Sequence, residues 1–574
     1  MYINQHSLPK SDMKNALSSP RNSGMTKSSF SLPLVLLPLL SGVLLWAAWP
    51  PLPYTFLVFI GLVPLLLGAK MVNERFTKFT SFKVWLSLYF GLLVWNLLTT
   101  WWVSNASVAG GLFANMANPI LMTVPLMLAR NTGKRLGENA GLLAFIVYWM
   151  SFEFIHLRWE LTWPWLSLGN VFALNHTWIQ WYEYTGVFGG TLWILVANVL
   201  IYKIVSKYIF TQTENNQQKK KIALVFGTIF LFWIIIPIVI SKNIYNHYAE
   251  KGTSTNVTVL QPNFDPYTEK FTIPYSIQMD KMLSLSLDGI SDSTTFLVWP
   301  ETAIQTEIWL DKLPYEKPVR DIQKALDSFP NLTAVVGING FERYYDKSKV
   351  SPTARTFVTH NSKRDTIIYD IYNTALAINE NGAQGFYHKS KLVPGVERMP
   401  YPGFFAFIGS WAIELGGISG SLGIQKERTV FFNKDSIGVA PVICYESIFG
   451  EYVSDYVNKG AGLIFIITND GWWGKTNGYL QHNEYAKLRS IETRRSIARS
   501  ANTGTSCFIN QRGDVMQATD WRVDAVINQS LKVNTTITFY TKHGDYLARI
   551  ALIVSGLLAI TAIVSRFRSK IKSN

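Results

Sequence analysis

Eight apolar segments, most of them about as long as a membrane is thick, constrain the fold of this chain more than any other feature. A helix that crosses the hydrocarbon core of a bilayer needs roughly 20 apolar residues, and about 17 can suffice. The sequence therefore predicts a membrane protein with eight transmembrane helices. The predicted spans are 30–49, 54–69, 84–103, 112–129, 140–154, 189–204, 222–240 and 546–565.

The composition fits a chain that lies partly in a membrane and partly in water. Only 16% of the residues are charged, whereas soluble domains average about a quarter. The net charge of +15 does not indicate nucleic-acid binding, because the lysines and arginines flank the apolar segments instead of gathering on one soluble module. We therefore expect a membrane as partner and no nucleic acid.

The lysines and arginines alternate along the chain in the way that orients a membrane protein. Segments rich in Lys and Arg remain in the cytoplasm, and intervening loops such as 50–53 and 104–110 carry none. Both termini are therefore predicted to be cytoplasmic. The basic segments are 10–27, 70–83, 130–135, 203–221 and 566–572.

Four regions follow from this topology. Residues 1–28 are polar without apolar periodicity, which predicts a disordered cytoplasmic tail. Residues 29–244 are predicted to form a bundle of seven transmembrane helices. Residues 245–541 are predicted to lie outside the cytoplasm and are numerous enough for a domain with its own core. Residues 542–574 are the eighth helix and a cytoplasmic tail.

The large outer domain alternates apolar strands with helical segments, a pattern typical of an α/β fold. Strands that are apolar throughout are buried on both faces of a sheet. A helix that carries several Lys and Arg residues is predicted over 484–500. The predicted strands are 256–261, 295–299, 333–337, 375–379, 385–388, 436–444, 462–468, 507–510 and 514–516.

Three side chains with complementary chemistry follow or end predicted strands: Glu301, Lys389 and Cys444. A thiol attacks best as a thiolate, a lysine can stabilise an oxyanion, and a glutamate can move the thiol proton to a leaving group. Ligands bind at strand ends in open α/β sheets, so the three residues are predicted to form a covalent acyl-transfer site. Neighbours at the same strand ends are Tyr387, Glu397, Tyr445 and Glu446.

The chain has two cysteines, too few for a disulfide framework. A bridge between Cys444 and Cys507 would disable the nucleophile, so both are predicted to be free thiols. Cys507 lies in a predicted strand and is expected to be a small buried residue. His482 and Glu484 do not show metal-ligand spacing, and we expect neither a metal nor a cofactor.

The sequences around the three residues resemble the motifs of the nitrilase, or carbon–nitrogen hydrolase, superfamily. Glu301 stands in VWPETA, Lys389 in YHKSKLVP and Cys444 in VICYE, in the chain order of that superfamily. Together with the apolar spans, further motifs narrow the resemblance to its membrane branch, the apolipoprotein N-acyltransferases, over nearly the whole chain beyond 1–28. Those further motifs are 163–166, 469–473, 499–504 and 544–545.

The resemblance implies an α-β-β-α sandwich on a bundle of eight transmembrane helices in the bacterial inner membrane, with the catalytic domain in the periplasm. It implies Glu301 as general base, Lys389 as the oxyanion-stabilising lysine and Cys444 as nucleophile, with Glu397 and Glu446 in support. The implied reaction moves a fatty acyl chain from a phospholipid, through a thioester, to the N-terminal amine of a diacylglyceryl-cysteine apolipoprotein. We expect the enzyme to be a monomer.

The chain departs from the family pattern in two loops. Gly395 and Val396 precede Glu397 where the family often has Phe-Gly, and Phe271 follows Lys270 where the family often has Trp. The stretch 399–407 is rich in aromatic residues. It is interpreted either as a loop that dips into the membrane interface or as part of the domain core. The candidate substrate-binding residues are Phe271, Trp299, Trp472 and Asn502.

Two other functions remain open at the level of sequence. A membrane-tethered, nitrilase-like amidase would form the same acyl-enzyme and transfer the acyl group to water, so the triad does not separate it from the transferase. A lipid-accessible bundle favours the transferase. A transporter would need charges that line a path through the membrane, and Glu153 is the chief such charge, although a helix-end role also fits it.

Overall fold

The computed structural model describes residues 32–210, 216–270, 272–358, 366–405 and 421–573. Within these ranges the chain forms a helical bundle and an α/β domain. The predicted tail, residues 1–28, lies outside the described residues.

Helices of the bundle overlap all eight predicted spans. Among the described residues, six helical stretches are long and apolar enough to cross a membrane, while Leu34–Ala48 is apolar but shorter. Glu138–His156 is not one of the six, so the number of eight spans stays a prediction. The helices are α1 (Leu37–Ala48), α2 (Val58–Gly61), α3 (Val63–Arg75), α4 (Thr80–Thr100), α5 (Val103–Ala106), α6 (Val108–Leu136), α7 (Glu138–His156), α8 (Tyr182–Thr185), α9 (Val187–Phe210), α10 (Asn216–His247) and the C-terminal α17 (Tyr546–Ser573).

A buried asparagine repairs the break between α2 and α3. Pro64 stands at the start of α3, and a break in a helix leaves backbone groups that lipid cannot hydrogen-bond. The Asn198 side chain accepts from the Leu62 N–H at 2.8 Å and donates to the Val58 carbonyl at 2.9 Å. In an unbroken helix the Leu62 N–H would donate to the Val58 carbonyl. Here the Asn198 amide on α9 bonds both groups instead.

The α/β domain contains two stacked sheets. The first has the strand order β14-β1-β2-β4-β6-β5, with β3 beside β4 and β7 beside β6, and the second has the order β13-β12-β11-β10-β9-β8. The strands are β1 (Thr253–Gln261), β2 (Thr294–Val298), β3 (Ile304–Trp309), β4 (Thr333–Arg343), β5 (Arg355–Val358), β6 (Thr366–Asn379), β7 (Gly382–His388), β8 (Phe431–Phe432), β9 (Gly438–Ile443), β10 (Leu463–Thr468), β11 (Ser496–Ala501), β12 (Cys507–Ile509), β13 (Val515–Met516) and β14 (Ala525–Val533).

Helices cover the outer faces of both sheets, so the α-β-β-α sandwich is confirmed. Alternate residues of a strand point to opposite faces. Phe296 on β2 therefore meets Phe465 of the second sheet, with ring centroids 5.2 Å apart, while Leu297 packs with Met282 on the helical side. The helices are α11 (Tyr275–Gly289), α12 (Lys317–Leu326), α13 (Pro402–Phe405), α14 (Gly450–Asn458), α15 (Asn477–Thr493) and α16 (Phe539–His543).

The predicted helix over 484–500 is wrong at its C-terminal end. Helix α15 stops at Thr493, Arg494 takes a left-handed conformation with φ of 52°, and residues Ser496–Ala501 form β11. Strand β11 pairs in parallel with β10 along its whole length. The hydrogen bonds of that ladder come from a distant part of the chain, so the local pattern of residues did not reveal them.

The α/β domain rests on one end of the bundle. The Trp473 ring lies 4.9 Å from Trp102 and 5.5 Å from Trp165, measured between ring centroids. Arg158, just after α7, pairs with Glu451 on α14 of the domain. The C-terminal ends of α4 and α7 therefore face the domain. The opposite end, where α3, α6 and α9 finish and α4 and α7 begin, is called the far end below.

Candidate active site

Cys444 lies at a sharp turn between β9 and a short 3-10 helix, Cys444–Ile448. Its φ of 49° is in the left-handed region, which costs a non-glycine residue on the order of 1–3 kcal/mol. The turn is held from behind, since Ser447 Oγ donates to the Cys444 carbonyl at 2.8 Å and His482 Nε2 lies 3.2 Å from the same oxygen. The thiol is thereby fixed at the carboxyl end of a buried strand.

Glu301 follows β2 and has hydrogen bonds to both carboxylate oxygens. Oε1 accepts from Lys389 Nζ at 3.0 Å and from Asn373 Nδ2 at 2.7 Å. Oε2 accepts from the Asn469 backbone N–H at 3.0 Å. Because these partners come from both sheets, the carboxylate lies at the edge where the two sheets meet.

Lys389 follows β7 and is almost completely buried, with 1% of its surface exposed. Besides Glu301, its Nζ donates to Glu397 Oε1 at 2.8 Å. Glu397 is fixed in turn, because its second oxygen accepts from the Val393 N–H at 2.8 Å. The site thus contains one buried cation between two carboxylates.

The charges of the site act on one another through a dry interior. Burial alone would raise the pKa of Glu301, but Lys389, the Asn373 amide and Lys270 hold that pKa below its ordinary value. Burial alone would lower the pKa of Lys389, but Glu301 and Glu397 raise it well above its ordinary value. The pair is therefore ionised at neutral pH.

The thiol of Cys444 is held in its neutral form, unlike Glu301 and Lys389, which are ionised. Burial and the negative charge of Glu301 raise the pKa of Cys444 above its ordinary value, while Lys389 opposes this rise. A buried thiol beside an ionised carboxylate is protonated at neutral pH. Attack by sulfur therefore requires a base that removes the proton during the reaction. Glu301 is the carboxylate whose charge acts most strongly on this thiol, and Asp470 acts more weakly in the same direction.

Glu446 joins the turn at Cys444 to the loop after Lys389. Its Oε2 accepts from the Ile443 N–H at 3.0 Å, and its Oε1 accepts from the Ser390 N–H at 2.7 Å and from Tyr387 Oη at 2.8 Å. Tyr452 Oη donates to the same oxygen at 2.5 Å. Glu446 and Tyr387 thus brace the two segments that carry the nucleophile and the lysine.

The remaining predicted site residues have different surroundings. Tyr445 is buried and donates to the Thr162 carbonyl of the bundle at 3.0 Å. Trp299 is fully buried in the layer between the first sheet and its helices, and its indole donates to Ser286 at 2.9 Å, so it contributes packing there. Phe271 lies outside the described residues.

Trp472 and Asn502 lie near the site on the loops after β10 and β11. The Trp472 ring is 5.9 Å from Lys270 Nζ, and its carbonyl accepts from Tyr267 Oη at 2.6 Å. Asn502 is buried and bonds to both backbone groups of Phe264, at 3.0 and 2.7 Å. Asn502 therefore anchors the loop after β1, the loop in which Lys270 lies.

Sequence reasoning missed a buried network behind Cys444. His482 Nδ1 lies 2.8 Å from Asp470 Oδ1, and Arg499 Nη2 donates to Asp470 Oδ2 at 2.5 Å. Burial alone would raise the pKa of Asp470, but the Arg499 guanidinium and the contact with His482 hold that pKa below its ordinary value. All three side chains are buried. The available signal was the position of Asp470 just after β10 and of Arg499 within the motif 499–504.

Asn373 and Lys270 are two further residues that the sequence did not single out for the site. Asn373 bonds both Glu301 and Glu397, the latter at 3.2 Å. Lys270 is buried, and its Nζ donates to Thr302 Oγ1 at 2.5 Å. Asn373 lies beside Lys389 in the hairpin of β6 and β7, where its carbonyl accepts from the Lys389 N–H at 2.8 Å, whereas Lys270 reaches the site on the loop after β1.

The proposed interface loop can be described only in part. Phe407 lies outside the described residues, as do the side chains of Phe404 and Phe405. Tyr401 is 41% exposed, and its N–H donates to Glu160 of the bundle at 2.6 Å. The start of the loop therefore lies against the bundle.

Glu153 does not stand free in the bundle. Its Oε1 accepts from the Trp149 indole at 2.9 Å and from the Leu168 N–H at 2.8 Å, and its Oε2 accepts from Thr191 at 2.8 Å. With its oxygens engaged by the bundle itself, Glu153 ties the end of α7 to α9 and to the loop between them. This placement favours the helix-end role over a charge on a transport path.

Both cysteines are free and both are buried, and the burial agrees with the prediction for Cys507. Cys507 lies on β12, and its thiol donates to Asn483 at 3.3 Å. Within the described ranges, no group of three or more His, Cys, Asp and Glu side chains is arranged to hold a metal ion.

Two family models match this chain. The apolipoprotein N-acyltransferase N-terminal domain matches residues 41–200, and carbon-nitrogen hydrolase matches residues 349–539. The apolipoprotein N-acyltransferase of Chlorobaculum tepidum is 32% identical and covers 92% of this chain and 96% of its own. That of Geobacter metallireducens is 26% identical and covers 93% and 96%.

Solved structures from the nitrilase superfamily are also similar. Nit3 of Saccharomyces cerevisiae, a member of branch 10 of that superfamily, is 15% identical with a TM-score of 0.35, over 50% of this chain and 93% of its own. An amidase from Nesterenkonia sp. is 12% identical with a TM-score of 0.33, over 52% and 97%.

Proposed function

Because this chain belongs to the apolipoprotein N-acyltransferase family, and is therefore an acyltransferase of lipoprotein biosynthesis, we propose that Cys444 carries the transferred acyl chain as a thioester. The donor is a membrane phospholipid, and the acceptor is the N-terminal amine of a diacylglyceryl-cysteine apolipoprotein. The observation that carries this proposal is the contact between Glu301 and Lys389 beside a thiol on a strained turn.

In the first half-reaction, Cys444 Sγ attacks the ester carbonyl carbon of the phospholipid. Glu301 takes the thiol proton as the carbon–sulfur bond forms. Lys389 and the backbone N–H of Tyr445 stabilise the negative charge on the carbonyl oxygen. When the carbon–oxygen bond breaks, Glu301 returns the proton to the glycerol oxygen, and a lysophospholipid leaves.

In the second half-reaction, the neutral amine of the acceptor attacks the thioester carbonyl carbon. Glu301 takes a proton from the attacking nitrogen and passes it to the sulfur as the carbon–sulfur bond breaks. An amide and the free Cys444 thiol result, so the enzyme returns to its starting state. This is a ping-pong scheme in which both substrates use the same three residues.

Both substrates are lipids, which gives the bundle a role beyond anchoring. We place the catalytic domain on the periplasmic face of the inner membrane, with both termini in the cytoplasm and eight helices in the bilayer. The alternation of basic and uncharged loops supports this orientation. The packing of Trp473 against Trp102 and Trp165 holds the domain on the bundle, which supports a site close to the membrane surface.

Transfer of a labelled acyl chain tests the nucleophile. The protein is incubated with a phospholipid that carries a labelled acyl chain, and the site of added mass is determined. Cys444→Ala should abolish the adduct, while Cys507→Ala, which removes the other buried thiol, should retain it. Hydroxylamine should release the adduct, as expected for a thioester. Full labelling of Cys444→Ala would refute the assignment.

The fate of the acyl chain tests the second half-reaction. A diacylglyceryl-cysteine peptide is added to the labelled enzyme, and the products are separated. The proposal requires the label in an amide at the peptide N-terminus. Release of free fatty acid in place of the amide would favour the amidase alternative, which shares the first half-reaction.

A further inference from the structure

A cavity of about 300 Å³ lies at the far end of the bundle, remote from Cys444, between α3, α4, α6, α7 and α9. Leu88, Leu126 and Phe145 line it two or more helical turns inside the helix ends, so its inner part is apolar. Three cations, Lys70, Arg130 and Lys134, outnumber two acids, Glu74 and Glu138, in the lining within two turns of the helix ends. The cavity therefore has an apolar interior and a basic opening.

Arg130 is the unusual member of this lining. Its Nη2 donates to Asn73 at 2.7 Å and its Nη1 to Ser81 at 3.4 Å. Its Nε is buried and has no hydrogen-bond partner among the described residues, and Arg130 makes no ion pair with them. A buried polar atom without a partner requires an explanation, and a guanidinium is suited to a phosphate.

The surrounding charge is strongly positive. The segments 70–83, 130–138 and 203–207 contain nine Lys and Arg residues and two Glu residues. One of the acids, Glu138, pairs with Lys70 at 3.1 Å. Membrane topology accounts for basic residues on this surface, but not for a guanidinium nitrogen buried without a partner in a cavity wall.

We propose that this cavity binds the headgroup phosphate of an anionic phospholipid. Arg130 and Lys134 hold the phosphate, and the leucines and Phe145 receive the glycerol and the first part of an acyl chain. Basic pockets between transmembrane helices are suited to such headgroups. The apolar interior, and the exposed Val124 and Leu128 on α6 beside it, favour a lipid over free phosphate. This site is separate from the catalytic centre and does not depend on the proposed reaction.

Lipid retention by the purified full-length protein tests the proposal. Native mass spectrometry is performed in detergent with equal amounts of phosphatidylglycerol and phosphatidylcholine as dialkyl ethers, which have no ester to transfer. The protein should retain phosphatidylglycerol preferentially. Arg130→Gln and Lys134→Gln should each lower that retention about fivefold, the factor expected for one basic residue near a lipid surface.

Lys220→Gln is the matched control, because Lys220 is an exposed cation in the basic segment 203–221 that does not line the cavity. Lys134 is itself exposed at the opening, so its substitution keeps the test valid if Arg130→Gln misfolds. Equal retention by wild type and both cavity variants, or an equal loss in Lys220→Gln, would overturn the proposal. So would equal retention of the two lipids, or displacement of phosphatidylglycerol by millimolar inorganic phosphate.

Discussion

Single residues around the proposed nucleophile determine how the Cys444 thiol and the Glu301 carboxylate behave. Burial lowers the pKa of Lys270 to about 8, although Glu301 and Cys444 act in the opposite direction. The turn at Cys444 is held by His482, which is itself held by Asp470. Neither Lys270 nor His482 belongs to the predicted triad, yet each acts on one of its members.

Lys270→Met should shift the acid limb of the pH profile for acyl-enzyme formation to higher pH. The charge of Lys270 lowers the pKa of Glu301, so its removal raises that pKa, and a protonated Glu301 cannot accept the thiol proton. Above about pH 8, where Lys270 itself loses its charge, the two profiles should converge. The measurement is the rate of labelling by phospholipid against pH, with the exposed Lys251→Met as control. A shift to lower pH would contradict this role.

His482→Ala should slow acyl-enzyme formation by about 10²-fold, the effect of a nucleophile displaced by about 1 Å, with little change in KM. His482→Gln should recover part of the rate, because its amide can donate to the Cys444 carbonyl from a similar position. Rates are compared at saturating phospholipid, and thermal unfolding is followed in parallel. If the two variants were equally slow and equally stable, a positioning role for His482 would be excluded.

Two helices of this fold end where residues distant in sequence form hydrogen bonds with the backbone. Helix α15 stops at Thr493 because residues shortly after it pair with β10. The break between α2 and α3 persists because Asn198 on α9 bonds the Leu62 N–H and the Val58 carbonyl. In both places a partner distant in sequence replaces the next hydrogen bond of the helix.

Asn198→Leu should lower the free energy of unfolding by about 1–3 kcal/mol for each backbone group that it leaves unpaired. The Leu62 N–H would keep only its contact with the Ile60 carbonyl two residues earlier, and the Val58 carbonyl would lose the Asn198 amide; both groups lie in an apolar part of the bundle. Unfolding in detergent micelles measures the change. Asn131→Leu, at an exposed position of α6, is the control and should have little effect. Similar losses in both variants would mean that the helix break needs no partner.

At the scale of the whole molecule, the loop after Lys389 connects the bundle to the proposed catalytic site. Glu160 of the bundle accepts from Arg398 at 3.2 Å and from the Tyr401 N–H at 2.6 Å. Glu397, which bonds Lys389, directly precedes Arg398 in the chain. The contact with the bundle therefore helps to place a carboxylate of the site.

Glu160→Ala should release this loop, so trypsin should cleave after Arg398 about fivefold faster, as expected for the loss of about 1 kcal/mol of hydrogen bonding. Acyl-enzyme formation should slow as Glu397 loses support. Glu427→Ala removes an exposed ion pair within the domain, with Lys459, and is the control. Unchanged cleavage after Arg398 would show that the loop is held by other contacts.

The sequence by itself determined the family of this protein, and it predicted the chemistry of the site and the division of the chain into parts. Apolar length predicted the helices, and short motifs at strand ends predicted Glu301, Lys389 and Cys444, because both signals are local. Only the tertiary structure decided which groups surround the triad. Glu301 meets Asn373 and Asn469, 72 and 168 residues away, and the strand β11 exists only through its pairing with β10. Such partners are set by the stacking of two sheets, and no local pattern of residues encodes that stacking.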